Sequence, residues 1–254
     1  MEKWGVGMKM VVKTDKGKKR ETNQDFANTY KNQQDFTLAV LCDGMGGHRA
    51  GDIASEMVVS HLGNHWEKSF FASVNDVAEW LEERINRENE RLVEKSQQYS
   101  DLKGMGTTLV AVAEANDGFV IANIGDSRAY RLIDGHLTQV TDDHSLVGEL
   151  LRSGELTAEE ASNHPKKNIL TRSLGVSEQL GIDIDIYSYK EDEFILLCSD
   201  GLTNMVADKE IEKIIYASES LETRAAMLVD LANERGGIDN ITVIMIDLYE
   251  GKGE

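Results

Sequence analysis

Two continuous apolar runs, each ending in Asp-Gly, constrain the fold of this chain more than any other feature. The first run, from Phe36 to Cys42, stops at Asp43-Gly44, and the second, from Phe194 to Ser199, stops at Asp200-Gly201. Neither run alternates apolar with polar residues, so each predicts a strand that is buried on both faces. Both strands therefore belong inside a layered fold, and both carry a carboxylate at their end.

The remaining pattern adds further strands and two pairs of helices. Helical spacing of apolar residues predicts helices at 53–66, at 76–98 with Asp76 and Glu79 as its cap, at 211–216 and at 221–233. Short apolar segments predict strands at 8–13, 107–114, 119–124, 127–132, 137–140, 184–189 and 241–248. The four strands between 107 and 140 suggest an antiparallel meander, with Gly125-Asp126 as one of its turns. Strands in hairpins and helices in pairs favour an α+β fold over alternating βαβ winding.

Residues 141–181 contain too few apolar side chains to form core, and we interpret them as a surface flap. This segment has a short helical pattern at 146–153 and a capped turn at 157–160. The 254 residues include a single proline, Pro165, and no Ser/Gly-rich tract that would act as a linker. We therefore expect one domain over 1–254, with the flap inside it.

Composition excludes several classes of partner. The net charge of −18 argues against binding to nucleic acid or to anionic membranes. No apolar run reaches membrane-spanning length and no signal sequence is recognisable, so we expect a cytoplasmic protein without membrane insertion. The two cysteines, Cys42 and Cys198, each end an apolar run, which predicts buried free thiols of a reducing compartment. His61 and His65 have helical spacing but no nearby third ligand, so they predict a helix surface rather than a zinc site.

Four aspartates are expected at the ends of buried strands. Asp43 and Asp200 end the two runs, Asp126 follows 119–124, and Asp239 precedes 241–248. Each aspartate alone is an ordinary turn former. Four of them on one rim would repel one another without a cation, so together they predict a metal centre.

The chemistry of this rim favours Mg²⁺ or Mn²⁺ over zinc, because every candidate ligand is an oxygen atom. The glycine at position 44 also lets its backbone carbonyl approach as a further ligand. Arg20 could supply the bidentate guanidinium that suits a phosphate group, although alone it would be an unremarkable surface residue.

Six motifs occur in order along the chain: Arg20-x-x-Asn-Gln-Asp25, Asp43-Gly-Met-Gly-Gly-His48, Gly106-Thr-Thr108, Gly125-Asp-Ser-Arg128, Ser199-Asp-Gly201 and Asp239-Asn-Ile-Thr242. By these motifs the chain resembles the metal-dependent PP2C/PPM family of Ser/Thr protein phosphatases over essentially its whole length. It is most similar to the small enzymes of Gram-positive bacteria that oppose a PASTA-type Ser/Thr kinase, through segments that begin at Thr141, His164 and Asp200.

The resemblance implies a four-layer αββα sandwich, in which two antiparallel β-sheets are flanked by pairs of α-helices, with a mobile flap at about 141–181. It also implies two Mn²⁺ or Mg²⁺ ions and a third, weaker one. The implied site residues are Asp43 as the bridging ligand, the Gly44 carbonyl for the second ion, Asp200 and Asp239 for the first ion, Asp126 with Asp200 for the third ion, Asp25 through a metal-bound water, and Arg20 for the substrate phosphate.

Two positions depart from the family pattern. Met45 stands where animal members place a histidine that is proposed as a general acid, and a thioether cannot donate a proton. Asn204 replaces an aspartate of some members, which leaves the affinity of the third metal site open. His48 and His144 lie in motif loops, and either could approach the site.

The function expected from these features is hydrolysis of phosphoserine and phosphothreonine on proteins by a metal-bridging water or hydroxide, which would reverse Ser/Thr kinase signalling. No Ser or Cys nucleophile is evident beside a base, so a phosphoenzyme is not expected. The implied partners are phosphorylated proteins, among them a cognate membrane Ser/Thr kinase and its substrates, and a monomer is expected. The alternatives are a catalytically silent phosphoprotein-binding module and a simple divalent-cation binder.

Overall fold

Two antiparallel β-sheets form the centre of the molecule in the computed structural model, which describes residues 8–46, 50–176, 180–190 and 192–248. The strands are β1 (Lys9–Asp15), β2 (Asp25–Lys31), β3 (Thr37–Met45), β4 (Gly106–Thr107), β5 (Leu109–Ala115), β6 (Gly118–Ile124), β7 (Arg128–Ile133), β8 (His136–Gln139), β9 (Asp183–Tyr187), β10 (Phe194–Cys198) and β11 (Ile241–Asp247). The first sheet has the order β1-β11-β10-β7-β8. The second has the order β2-β3-β5-β6-β9, with β4 paired to β3.

Seven α-helices accompany the sheets in the described residues. They are α1 (Ala50–Trp66), α2 (Val74–Gln98), α3 (Leu146–Arg152), α4 (Ala158–Ser162), α5 (Asp200–Thr203), α6 (Asp208–Ile215) and α7 (Leu221–Glu234), with one 3₁₀ turn at Ser100–Leu102. One apolar core lies between α1, α2 and the second sheet, another between α5, α6, α7 and the first sheet, and a third between the two sheets. These layers confirm the predicted four-layer αββα fold of the α+β class.

The two apolar runs that end in Asp-Gly form central strands, as predicted. Every residue of β3 from Thr37 to Cys42 is buried. Its side chains alternate between the helix-facing core, which contains Val40 and Cys42, and the inter-sheet core, which contains Ala39 and Leu41. In β10, Leu196 and Cys198 face the helices while Ile195 and Leu197 face the other sheet. Both faces of these strands are therefore buried.

Helix α2 begins earlier than predicted, and its cap is a different pair of residues. Ser73 is the N-cap: its hydroxyl accepts a hydrogen bond from the Asp76 amide, and the Asp76 carboxylate accepts one from the Ser73 amide at 2.9 Å. This reciprocal pair is a capping box, so the predicted Asp76–Glu79 cap is wrong. Asp76 takes the third helical position instead.

The predicted four-strand meander is wrong at its centre. Strand β6 pairs with β5 and β9 in the second sheet, whereas β7 pairs with β10 and β8 in the first. Gly125, with a positive φ of 113°, and Asp126 therefore connect two sheets instead of closing a hairpin. The chain crosses at the end of the sandwich where both sheets stop, and this places Asp126 at the rim.

The described part of the flap segment carries α3 and α4. Thr157 and Glu160 form the predicted cap at the start of α4, with a second capping box. A two-hydrogen-bond bridge ties the end of the segment to the core, because the backbones of Thr107 and Leu174 bond to each other in both directions at 3.1 and 2.9 Å. Within the described residues, no helix combines the length and apolar content that crossing a bilayer requires.

Candidate metal centre

A cleft of about 410 Å³ opens at one end of the sandwich and has an acidic floor. Asp43 near the end of β3, Asp200 at the start of α5, Asp126 on the crossing between the sheets and Asp239 just before β11 all line it. Arg20 and Gly44 line the same cleft. Elements of both sheets thus meet here, and six of the seven predicted site residues share one cleft.

Asp25, the seventh, lies beside the cleft in β2, directly opposite Asp43 in the pairing of β2 with β3. Its side chain is buried, with 6% of the residue exposed. One carboxylate oxygen, Oδ2, accepts a hydrogen bond from the Ser199 hydroxyl at 2.7 Å. The other, Oδ1, is buried without a hydrogen-bond partner among the described residues.

Thr108 fixes the backbone around Asp43. Its hydroxyl accepts a hydrogen bond from the Asp43 amide at 3.0 Å and lies 2.7 Å from the Ser127 hydroxyl. Its own amide donates to the Asp43 carbonyl at 2.9 Å. Because Ser127 follows Asp126, this one threonine connects the two backbone segments that carry two of the acidic side chains.

Gly44 lies where no side chain can be accommodated. A Cβ atom at this position would lie 2.1 Å from the carbonyl oxygen of Gly51 in α1 and 2.7 Å from that of Gln24. Both neighbouring atoms belong to the backbone, so they cannot move aside as a flexible side chain could. The close approach of β3 to the first turn of α1 therefore requires glycine.

Asn240 holds the loop that carries Arg20. Its side-chain amide donates to the carbonyls of Lys16 and Thr22, each at 2.9 Å, and its Oδ1 accepts from the Gln24 amide at 2.8 Å. The Arg20 guanidinium then reaches Asp239, with Nη2 2.6 Å from Oδ2. The Arg20 side chain is 49% exposed, so its remaining donors face the cleft and solvent.

The electrostatics of the cleft favour a bound cation. Burial, followed by the charges of Asp25, Asp200, Asp126 and Asp239, raises the pKa of Asp43 well above its usual value. Burial, followed by the charges of the neighbouring aspartates, does the same to the pKa of Asp200. Burial is also the main cause that raises the pKa values of Asp25 and Asp126, each to about 6. Ionising all of these groups together is therefore unfavourable unless positive charge is added.

The donor chemistry fits a hard divalent cation. Every candidate ligand is an oxygen, and Asp200 Oδ1, like Asp25 Oδ1, is buried without a partner in the described chain. Two carboxylates meanwhile bind other side chains, because Asp239 pairs with Arg20 and Asp200 Oδ2 accepts from Asn204 at 2.9 Å. In the described residues, no three Asp, Glu, His or Cys side chains are already grouped to hold a metal ion. A cation bound by Asp239 would share that carboxylate with Arg20, whereas Oδ1 of Asp200 is free to bind one without displacing Asn204.

Several supporting residues were not assigned roles from the sequence. Ser199 and Asn240 directly adjoin Asp200 and Asp239 in the sequence, and Thr108 belongs to the Gly106-Thr-Thr108 motif, so a small polar residue within a motif was the available signal. The flap residues that line the cleft are Asn168, Leu170, Ser173 and Val176. The sequence around these four residues does not predict a place at the cleft. They reach the cleft only because the flap folds back onto the core.

The remaining sequence candidates have other surroundings. Met45 lines the cleft, as its place in the motif suggested. His144 is buried: Nδ1 accepts from the Gly125 amide at 3.2 Å and Nε2 lies 2.9 Å from Asp183, so it supports the crossing that carries Asp126. His61 pairs with Glu88 at 2.8 Å. His48 lies outside the described residues.

Both cysteines are buried free thiols, as predicted. Burial is the main cause that raises the pKa of Cys42 and of Cys198, the latter to about 12. Both thiols therefore remain protonated at neutral pH, and neither is a nucleophile.

Known proteins resemble this chain over almost its whole length. The family model described as "Protein phosphatase 2C" matches residues 14–233. A protein of Listeria welshimeri serovar 6b, named "Serine/threonine phosphatase stp", is 44% identical over 241 residues, which is 94% of this chain and 96% of that protein.

Solved structures give the same result for the fold. The S. agalactiae serine/threonine phosphatase superimposes with a TM-score of 0.90 at 42% identity, over 94% of this chain and 98% of that one. The catalytic domain of the serine threonine protein phosphatase PstP, solved "in complex with 2 Manganese ions", superimposes with a TM-score of 0.84 at 31% identity, over 94% of this chain and 97% of that one.

Proposed function

This chain belongs to the protein phosphatase 2C family, and we propose that its acidic cleft is where phosphate is removed from phosphoserine and phosphothreonine on proteins. The protein is a Ser/Thr protein phosphatase and therefore a hydrolase that acts on phosphoproteins. The alternative of a catalytically silent binding module has no support among the relatives. A simple cation binder would leave the guanidinium at the cleft unexplained.

One observation carries the assignment of the cleft. Half-buried carboxylates with raised pKa values lie in the same cleft as the half-exposed Arg20 guanidinium. The carboxylates attract cations and the guanidinium attracts a phosphate, so the cleft is suited to holding both at once.

The family is metal-dependent, and we propose two Mn²⁺ or Mg²⁺ ions here, with a third bound more weakly. Asp43, the Gly44 carbonyl, Asp200 and Asp239 would hold the pair, and Asp126 with Asp200 would hold the third. The two manganese ions of the PstP structure support the count of two. When bound, such cations supply Lewis acidity, which activates water and offsets the charge of the phosphoryl group.

The residues of the chain then have separate tasks. Arg20 binds and orients the phosphoryl group through its free guanidinium N–H groups. Asp25 offers Oδ1 as an acceptor to a water molecule, while Ser199 holds its Oδ2. Met45 has no proton to donate, so the leaving alcohol takes its proton from water or from another group.

Direct attack by water, without a phosphoenzyme, is supported by the state of the nearby nucleophiles. The hydroxyls of Thr108 and Ser199 are hydrogen bonded to Ser127 and Asp25, and both cysteines are buried and protonated. None of these side chains lies beside a histidine base in the described residues. Water remains as the nucleophile.

Phosphate release from a phosphothreonine peptide tests this proposal. We expect release with Mn²⁺ and none with EDTA, and equal release in both would overturn the metal-dependent mechanism. Asp43→Asn should remain folded by circular dichroism but lose most of its activity. Asp230→Asn, which removes an exposed carboxylate on α7, is the matched control and should keep full activity.

We also propose that the physiological partners include a membrane Ser/Thr kinase and its substrates, whose phosphorylation this enzyme would reverse. A cytoplasmic location is supported by the two free thiols, because oxidising compartments favour disulfides. A monomer is supported by the net charge of −18, which opposes self-association.

A further inference from the structure

A second cavity, of about 170 Å³, lies at the base of the flap and shares no lining residue with the metal-centre cleft. Its polar lining includes Asn123 of β6, Gln139 of β8 and three carboxylates, Asp142, Asp183 and Asp185. Asp142 lies where the chain enters the flap, and Asp183 begins β9, where the chain returns to the second sheet. The cavity therefore lies between the two ends of the flap, and strands of both sheets border it.

Two amide side chains, those of Asn123 and Gln139, line this cavity. Asn123 is 1% exposed and donates its Nδ2 to the Asp142 carbonyl at 3.1 Å, while its Oδ1 is buried without a partner in the described chain. Gln139 donates its Nε2 to the Thr141 carbonyl at 2.7 Å and to Asp143 Oδ1 at 3.0 Å. The nitrogen ends of both amides are therefore occupied, and their oxygen ends are left to accept.

A buried oxygen without a donor is unfavourable unless something positive or a proton donor reaches it. The same feature marks Asp25 and Asp200 at the metal centre, where each has a buried carboxylate oxygen that no described residue satisfies. Asn123 Oδ1 therefore shares with the carboxylate oxygens of the main cleft the property of being buried without a hydrogen-bond donor.

The carboxylates at this cavity are only partly neutralised. Asp183 contacts His144 at 2.9 Å and Arg172 at 3.4 Å, and Asp142 lies 3.7 Å from Arg152. Asp185 has no ion pair or side-chain hydrogen bond within the described residues. It lies two residues beyond Asp183, which pairs with Asn123, so it projects from the same face of β9. Groups of acceptor character therefore dominate the lining.

We propose that this cavity, the flap-base site, binds one hydrated divalent cation of the oxygen-preferring kind, such as Mg²⁺ or Mn²⁺. Asp185 and the amide oxygens of Asn123 and Gln139 are the protein ligands, and water completes the coordination shell. Mg²⁺ typically keeps several waters and takes only one or two carboxylates. The ion joins β6 and β9 of the second sheet to β8 of the first, at the point where the flap leaves the core.

The flap-base site is expected to be weak. Asp185 is the one carboxylate in the proposed ligand set, so the ion depends otherwise on neutral amide oxygens and water. We expect a dissociation constant on the order of 10⁻⁴ to 10⁻³ M, by analogy with the weakest oxygen-ligand sites for calcium.

Mn²⁺ binding, counted from the electron paramagnetic resonance signal of the free ion, tests the site. Asp185→Asn should lose one weakly bound Mn²⁺ per chain and keep the tighter ions, with kcat at saturating Mn²⁺ unchanged. Asp230→Asn removes the same charge from an exposed position on α7 and should keep every ion. An unchanged Mn²⁺ count in Asp185→Asn would show that the cavity holds water only and would overturn the proposal.

Anomalous diffraction from crystals soaked in Mn²⁺ gives an independent test. The proposal requires a peak beside Asp185 and Asn123 in the wild-type protein, and its loss in Asp185→Asn. Peaks in the main cleft without any peak in the flap-base cavity, at 10 mM or more of Mn²⁺ (roughly ten times the weakest affinity expected), would reject the site while leaving the phosphatase assignment intact.

Discussion

At the scale of single residues, the aspartates of the cleft lower the stability of the metal-free fold and are suited to binding metal ions. Asp25 is buried and the other aspartates are half-buried, and desolvation with mutual repulsion raises the pKa values of four of the five. In the metal-free protein each of these charges opposes folding, because the unfolded chain would solvate it freely. A neutral side chain of the same shape should therefore stabilise the metal-free fold while it removes activity.

Asp43→Asn separates these two effects. We expect phosphatase activity to fall by more than about 100-fold, because even residues that only support a metal ligand cost 10- to 100-fold. In EDTA at pH 7, the same variant should unfold at a higher urea concentration than the wild type. Asp230→Asn is the control and should change neither quantity. A metal-free Asp43→Asn protein that is less stable than the wild type would contradict the role given to charge repulsion.

Arg20 both faces the cleft and holds Asp239, so its removal should have two opposite effects. Arg20→Ala should raise the KM for a phosphopeptide by roughly tenfold, the loss expected for one charge-assisted hydrogen bond, with a modest decrease in kcat. It should also lower the Mn²⁺ concentration needed for half-maximal activity, because Asp239 loses its competing partner at 2.6 Å.

Steady-state kinetics with varied phosphopeptide and varied Mn²⁺ measure both effects of Arg20→Ala. Arg87→Ala, which removes an exposed arginine paired with Glu83 on α2, is the matched control. An unchanged KM would remove Arg20 from phosphate binding, and an unchanged Mn²⁺ requirement would show that the pair with Asp239 does not compete with the metal.

At the scale of elements, the sequence predicted what local pattern determines and missed what depends on packing. The long helices and the central strands β3 and β10 have strong periodic or continuous apolar signals, and all of them were found. Strand β2 was missed because it is an edge strand of the second sheet, and its sequence, Asp25–Lys31, is largely polar.

The path through Gly125 and Asp126 shows the same limit. A Gly-Asp pair between two short strands predicts a hairpin, and nothing local distinguishes a hairpin from a crossing between sheets. The strands on either side pack into different sheets, and this decides the path. The acidic residues of the site were still predicted from the sequence. The motifs that contain them are recognisable whether the chain forms a hairpin or crosses between the sheets.

Two glycines at contacts between α1 and the second sheet, Gly44 of β3 and Gly63 of α1, should respond differently to alanine. In Gly44→Ala, the new methyl would meet the backbone of α1, so we expect loss of both stability and activity. In Gly63→Ala, it would meet the ring of Tyr30 at 2.2 Å, near the far end of β2 from Asp25. That variant should lose about 1–3 kcal/mol of stability from overpacking and keep its kcat at low temperature.

Urea denaturation and kcat at 15 °C, which is roughly the temperature of maximum stability, distinguish the two glycine variants. If Gly44→Ala retained full kcat at a temperature where it is folded, the close approach of β3 to α1 would not be needed to place the Gly44 carbonyl. Equal loss of kcat in Gly63→Ala would show that any disturbance of α1 reaches the cleft.

At the scale of the whole molecule, the cleft joins the two sheets. Asp25 and Asp43 belong to the second sheet, Asp200 and Asp239 flank strands of the first, and Asp126 lies on the crossing between them. Cations bound by these residues would hold the two halves of the sandwich together at this end. Metal binding, protonation and folding should therefore be coupled in one measurement.

The stability of the protein should depend on pH in opposite ways with and without metal. Asp126 has a pKa of about 6 in the folded protein, raised from 3.8, so the metal-free fold binds this proton more tightly than the unfolded chain does. The stabilisation is complete below about pH 4 and is lost as the pH rises through 6. Between pH 4 and 7.5 the metal-free wild type should therefore lose roughly 1–3 kcal/mol more than Asp126→Asn.

Urea unfolding at pH 4, 6 and 7.5, in EDTA and in Mn²⁺, measures this difference. Mn²⁺ should reverse the trend, because at pH 7.5 the ionised carboxylates bind the cation, and at 100 times its dissociation constant a bound ion adds about 2.7 kcal/mol. Parallel pH profiles for the metal-free wild type and Asp126→Asn would mean that Asp126 is solvated in the folded protein. Asp126 would then have no repulsion for a cation to relieve, and its assignment to the third, weaker ion would lose its electrostatic support.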